Sequence, residues 1–170
     1  MRRPRPGLRR SERHVRLERP LAEVWSVLAA RPDGDAPRWY ADAAPLVLRA
    51  RIDDLARAVL GDPPRPEVRR GEDAPGPPDL LSTGDTAGFW DVLAADHVAH
   101  RLRLQARVHA PGQVRLTTWL TPRDTGCRLH LRITFRPSGL LGAAYLLTDL
   151  PARELVTEGV ARRIVADASR

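Results

Sequence analysis

The chain has 170 residues, 42% of them hydrophobic and 29% charged, and a formal net charge of +7. That is the composition of a globular protein long enough to bury one core. The single cysteine, Cys127, excludes an internal disulfide and a cysteine-based zinc site, and the lack of any run of about 18 apolar residues excludes a transmembrane helix.

Residues 1–10 are rich in Arg, Pro and Gly and read as a disordered basic tail. Residues 1–19 hold eight of the 28 basic residues against Glu12 and Glu18, whereas the other 151 residues hold 20 Arg against 19 acids. The basicity is therefore expected in the tail and the first strand, not on a domain face, which argues against specific nucleic-acid binding. Every basic residue is Arg, the signature of a GC-rich bacterial genome, and with no Lys there is no Schiff-base chemistry. The first residues carry charge with no apolar stretch behind them, so they do not read as a signal peptide, and the cytoplasm is the expected location.

Residues 11–170 read as a single domain. Glu12–Arg19 alternates as a first strand, with Val15 and Leu17 opposite His14, Arg16 and Glu18. Pro20 opens a helix whose stripe is Leu21, Val24, Trp25 and Leu28. A second helix, starting between Pro37 and Pro45, carries Leu48, Ile52, Leu55 and Val59 and stops at Leu60-Gly61. Residues 61–79 form a proline-rich loop, with room for a short edge strand near Glu67–Arg70. Four strands follow at hairpin spacing, Thr86–Ala94, Arg101–Ala110, Gln113–Pro122 and Cys127–Pro137. Their strict alternation predicts one buried face and one wet, Arg-rich face. Gly139–Thr148 is apolar and helix-like. Pro151 then opens or kinks a final helix to Ala168, with Ala152, Leu155, Val156, Gly159, Val160 and Ile164 on one stripe. This order predicts an α+β fold with helices on one face of a curled antiparallel sheet.

Gly84-Asp85, Phe89-Trp90-Asp91-Val92, Pro111-Gly112 and Thr134-Phe135-Arg136-Pro137-Ser138-Gly139-Leu140-Leu141-Gly142 carry a family likeness. Tyr145, Leu150-Pro151 and Arg162-Arg163-Ile164 continue it, and Trp39-Tyr40 fits upstream. Together they resemble a bacterial domain-of-unknown-function family in the START-like, SRPBCC or polyketide-cyclase-like superfamily. The resemblance implies a helix-grip fold, a curved sheet of about six strands wrapped on a long C-terminal helix, with an apolar cavity between them. Relatives of this kind occur alone or joined to dehydrogenase-like domains, which implies a dehydrogenase-like protein as one partner. The superfamily's uses run from lipid carriage to cyclase and dehydratase chemistry, and fold alone does not choose among them.

No Gly-x-Gly-x-x-Gly is present, and no cofactor is implied. Asp96, His97 and His100 cluster between two strands and read as a solvated turn rather than metal ligands. Cys127 and His130 differ by three on a strand, so they face opposite ways and form no catalytic pair. Asp85 reads either as a turn residue bonding nearby amides or as a polar group at a pocket mouth. The expected ligand-binding residues are Trp90, Leu104, Leu116, Thr118, Leu131 and Phe135 from the inner sheet face. Trp39, Tyr40 and Tyr145 are expected to reach the same space from the helical side. The competing reading is that all of them fill the core. A small apolar ligand is the first functional expectation. A cyclase- or dehydratase-type enzyme using Tyr40, Asp85 or Tyr145, or an accessory module docking on a partner, are the alternatives.

Overall fold

The computed structural model describes residues 9–32, 39, 77–88, 90–107 and 112–169, with backbone alone for 139–153. The elements in chain order are β1 (Arg10–Leu17), α1 (Leu21–Leu28), β2 (Thr86–Ala87), β3 (Trp90–Asp96), β4 (Arg101–Ala106), β5 (Gly112–Pro122), β6 (Cys127–Pro137) and α2 (Gly139–Ala168). The six strands form one antiparallel sheet in the order β1-β6-β5-β4-β3-β2. β1 crosses from the chain's start to close on β6, and β3 to β6 follow as a meander. The helix expected to end at Leu60 and the strand near Glu67–Arg70 lie outside the described residues.

Period-two alternation drives the sheet. Leu102 and Leu104 of β4, Leu116, Thr118 and Leu120 of β5, and alternate residues of β6 from Cys127 to Phe135 are all buried on one face. α1 adds Val24, Trp25 and Leu28 to this core at helical spacing, and α2 adds Thr157, Val160, Ala161, Ile164 and Ala168. A core cluster of this kind holds the sheet's inner face against both helices. Trp39 is buried with them and donates its indole Nε1–H to the Leu28 carbonyl at 2.9 Å.

Three expectations need correcting. The strand read as Thr86–Ala94 is two strands, because Gly88 adopts a left-handed φ of 60° between β2 and β3. β3 then carries a bulge between Val92 and Ala94, which leaves Leu93 unpaired and 40% exposed and shifts the alternation so that Ala95, opposite Leu102, faces the core. The final helix begins at Gly139 and runs through Pro151, so the proline neither starts nor ends it. Its inner stripe is centred on Thr157 rather than Leu155, which is 63% exposed. Ala152 lies where side chains are outside the description.

Charge is sorted by face as well. Near neutrality of residues 20–170 is a sum over the molecule, and strand parity sorts those charges by face. On the strands, the outer sheet face carries Arg10 and Arg16 (β1), Arg101 and Arg103 (β4), Arg115 (β5), and Arg128, Arg132 and Arg136 (β6). Only Glu12, Asp91 and Asp96 oppose them there. The Arg-rich outer face that alternation predicts is thus present, while most of the net charge still lies in residues 1–19.

Candidate functional site

The inner face of the sheet is where a site can be built, since it is apolar, curved and covered by α2. β3 supplies Trp90, β4 Leu104, β5 Leu116 and Thr118, and β6 Leu131 and Phe135, every one of them buried. Register places Leu104 beside Leu116, and Thr118 between Leu102 and Leu131. Seven of the nine expected residues, counting Trp39, therefore lie in the interior. Tyr40 and the Tyr145 side chain lie outside the described residues, as do the side chains of the 139–150 segment.

Thr118 stands out chemically. The residue is 0% exposed, and its Oγ1 has no hydrogen-bond partner among the described residues. Buried hydroxyls are normally satisfied, and an orphan costs about 1–3 kcal/mol. Cys127, on the same face, is fully buried, and burial pushes its thiol up. Its inward direction opposes that of His130, as parity required.

Asp85 is 2% exposed and fixes the chain ahead of β2. Its Oδ2 accepts from the Ser82 amide at 2.7 Å and from the Arg31 guanidinium at 2.8 Å. Arg31 also donates to the Leu80 carbonyl, next to the bridge between Ala30 and Leu80. The turn reading of Asp85 is thus correct. Its Oδ1, however, is buried without a partner among the described residues.

One group escaped the pattern reading. Arg13 occupies an inner position of β1 and is buried, where periodicity calls for an apolar residue. Its Nη2 donates to Glu154 Oε2 at 2.6 Å and its Nε to Glu158 Oε2 at 3.1 Å. These carboxylates sit one helical turn apart on α2. Glu158 is held below the usual carboxylate range by the hydrogen bond from Arg13, against the effect of burial. The signal was available: an Arg in phase with Val15 and Leu17, and acids at i,i+4 on the last helix.

The turn 97–100 is solvated at Val98 and Ala99, as expected, but its two histidines turn partly inward. His97 and His100 are half-buried, their rings edge-on to Trp25 at 5.8 and 5.4 Å. Among the described residues, no group of three or more His, Cys, Asp or Glu is placed to hold a metal ion. None of their helices is long and apolar enough to cross a membrane.

A six-stranded curved antiparallel sheet gripping a 30-residue C-terminal helix defines a helix-grip, START-like fold. Within that class, the chain belongs to the family described as Protein of unknown function (DUF2867), whose model matches residues 6–160. Among solved structures, a protein from Rhodobacter sphaeroides is similar at 15% identity and a TM-score of 0.50, covering 96% of this chain and 94% of its own. A protein from Thermobifida fusca aligns at 17% identity and a TM-score of 0.49, with coverages of 91% and 92%. A Polyketide_cyc-like protein from Corynebacterium glutamicum aligns at 13% identity and a TM-score of 0.47, with coverages of 95% and 89%. At such identities the likeness concerns the fold alone. No curated protein matches the chain.

Proposed function

We propose that this protein binds, and carries, a small apolar ligand bearing one hydrogen-bond acceptor, held between the inner sheet face and α2. The observation that carries this reading is Thr118: an unpartnered hydroxyl at the centre of an otherwise apolar wall. Binding sites combine mostly apolar surface with few placed polar groups. Affinity would come chiefly from apolar burial, at about 25 cal/mol per Å², with Thr118 Oγ1–H fixing orientation. Trp90 and Phe135 would contribute flat surface.

The neutral naphthyl ketone prodan is a suitable probe, because it is apolar, carries one carbonyl, and is not attracted to arginines by charge. Its fluorescence titration should saturate at one site. Thr118→Val keeps the shape and removes the hydroxyl. It should weaken prodan binding roughly fivefold, the value of one hydrogen bond, while leaving the unliganded fold as stable or slightly more so. Saturable binding that ignores Thr118→Val would remove Thr118 from the site; no saturable binding would end the reading.

A second reading, proton-transfer catalysis of the cyclase or dehydratase kind, has Asp85 in its favour. A buried carboxylate with one unpartnered oxygen is a candidate proton acceptor. Its test is a comparison of the small molecules extracted from wild type and from Asp85→Asn. Chemically identical extracts would count against catalysis.

A further inference from the structure

The outer face of the sheet has no part in the pocket, and its charges are not balanced locally. Glu12 engages Arg10 and Arg132, and Asp91 engages Arg107, just past β4, at 3.1 Å. Arg16, Arg101, Arg103 and Arg128 form no ion pair among the described residues. Arg16 and Arg128 stand directly opposite each other on β1 and β6, a placement that like charges disfavour. Nothing in folding accounts for keeping it.

These four arginines occupy one end of the face, in three adjacent registers. Arg16 faces Arg128; the next register runs His14, His130, Trp119, Arg101; the next runs Glu12, Arg132, Thr117, Arg103. From β1 to β4 the track crosses three strand spacings, about 14 Å. Its centre is Trp119, which stacks on His130 with centroids 4.8 Å apart, while the Arg132 and Arg101 guanidinium groups lie 5.1 and 5.9 Å from its ring. The indole is thus engaged by its own neighbours and is not presented for stacking on a base, the feature that single-stranded nucleic-acid sites use. An outward-curving sheet also meets a flat bilayer over little area.

We propose that this end of the outer face docks an acidic segment of a partner protein, whose Asp and Glu carboxylates are taken by the forks of Arg16, Arg128, Arg101 and Arg103. Guanidinium groups pair bidentately with carboxylates. Arg is also enriched in protein interfaces, where Lys is depleted. The unfavourable Arg16–Arg128 pair is relieved when an anion bridges it.

The test uses the full chain and fluorescently labelled poly-L-glutamate, read by anisotropy at low and high salt. Wild type should bind, more weakly as salt rises. The face variant R16Q/R101Q/R103Q/R128Q should bind about tenfold or more weakly. The tail variant R2Q/R3Q/R5Q/R9Q removes the same number of charges and should bind within about twofold of wild type. Equal losses in both variants would overturn the proposal, as would no binding by wild type. Preference for oligothymidylate or for phosphatidylglycerol vesicles over poly-L-glutamate would overturn it in favour of those partners. Thermal denaturation guards against a folding artefact. R128Q alone should raise Tm by about 1–2 °C through relief of repulsion, and yet weaken poly-L-glutamate binding. A variant that is more stable and binds as well as wild type would also refute the proposal.

Discussion

On the outer face His130 is held neutral. Burial lowers its pKa from the ordinary 6.5 to about 4, with the neighbouring His14 and Arg128 adding to the effect, and its Nε2 shares a hydrogen bond with Thr121 Oγ1 at 2.9 Å. In the unfolded chain the ring takes up a proton near pH 6.5, so the unfolded state binds more protons below that value. Stability from this group is therefore complete above about pH 6.5 and lost as pH falls towards 4. Glu12 and Glu158 have lowered pKa values and extend the loss below the ordinary carboxylate range. Urea denaturation at successive pH values should show the first decline between pH 6.5 and 4, and His130→Gln should flatten that part alone. An unchanged slope in the variant would place the titration elsewhere. Parity put His130 outside and Cys127 inside, so their faces were legible in the sequence. The orphan hydroxyl of Thr118 was not, because satisfaction depends on which neighbours come within reach in three dimensions.

Among the elements, the β1–α2 junction adds an ion pair to the apolar core that Leu17 shares with Val160 and Ile164. Arg13→Ala leaves Glu154 without its cation and Glu158 with Arg162 alone, 3.0 Å away. Because both carboxylates are partly exposed, the expected loss is about 2 kcal/mol, below the 3–5 of a fully buried pair. Chemical denaturation measures it, and a loss under 0.5 kcal/mol, the ordinary scatter of surface substitutions, would mean the junction is held by other contacts. An inward charge also keeps the edge strand β1 from pairing with another chain. The β5–β6 turn depends on Gly126, at φ 76°, where a Cβ would lie 2.1 Å from the Leu17 carbonyl oxygen. Gly126→Ala should cost about 2 kcal/mol or more, from left-handed strain plus displacement of the end of β1. Strand β6 was readable to the residue, since Cys127 to Pro137 alternates without a break. The Gly88 break and the Val92–Ala94 bulge were not, because a two-residue strand and a one-residue slip leave the local pattern nearly intact. Leu155 was misplaced because apolar residues at 155, 156 and 160 suggest a stripe rotated from the buried one, which includes the polar Thr157.

At the scale of the whole molecule, the two sheet faces divide the chemistry. The inner face is mainly apolar, with Ser11, Arg13 and Thr118 as its buried polar residues on the strands and the Thr118 hydroxyl unpartnered among the described residues, and the outer face is arginine-rich with few acids. Net charge summed along the chain conceals this division, strand alternation predicts it, and pairing register shows which arginines stand side by side. Fold class was legible because alternation, turn residues and the long last helix agree with one another. Ligand identity was not, because apolar side chains that fill a core and those that line a cavity have the same sequence pattern.

Native mass spectrometry of the full chain, as purified and after incubation with excess prodan, tests the binding claim most directly. The account predicts a one-to-one adduct that is lost on denaturation, either a co-purified apolar molecule or prodan in its place. A spectrum showing only the bare chain under both conditions would contradict it, and Trp90, Thr118 and Phe135 would then be core residues and nothing more.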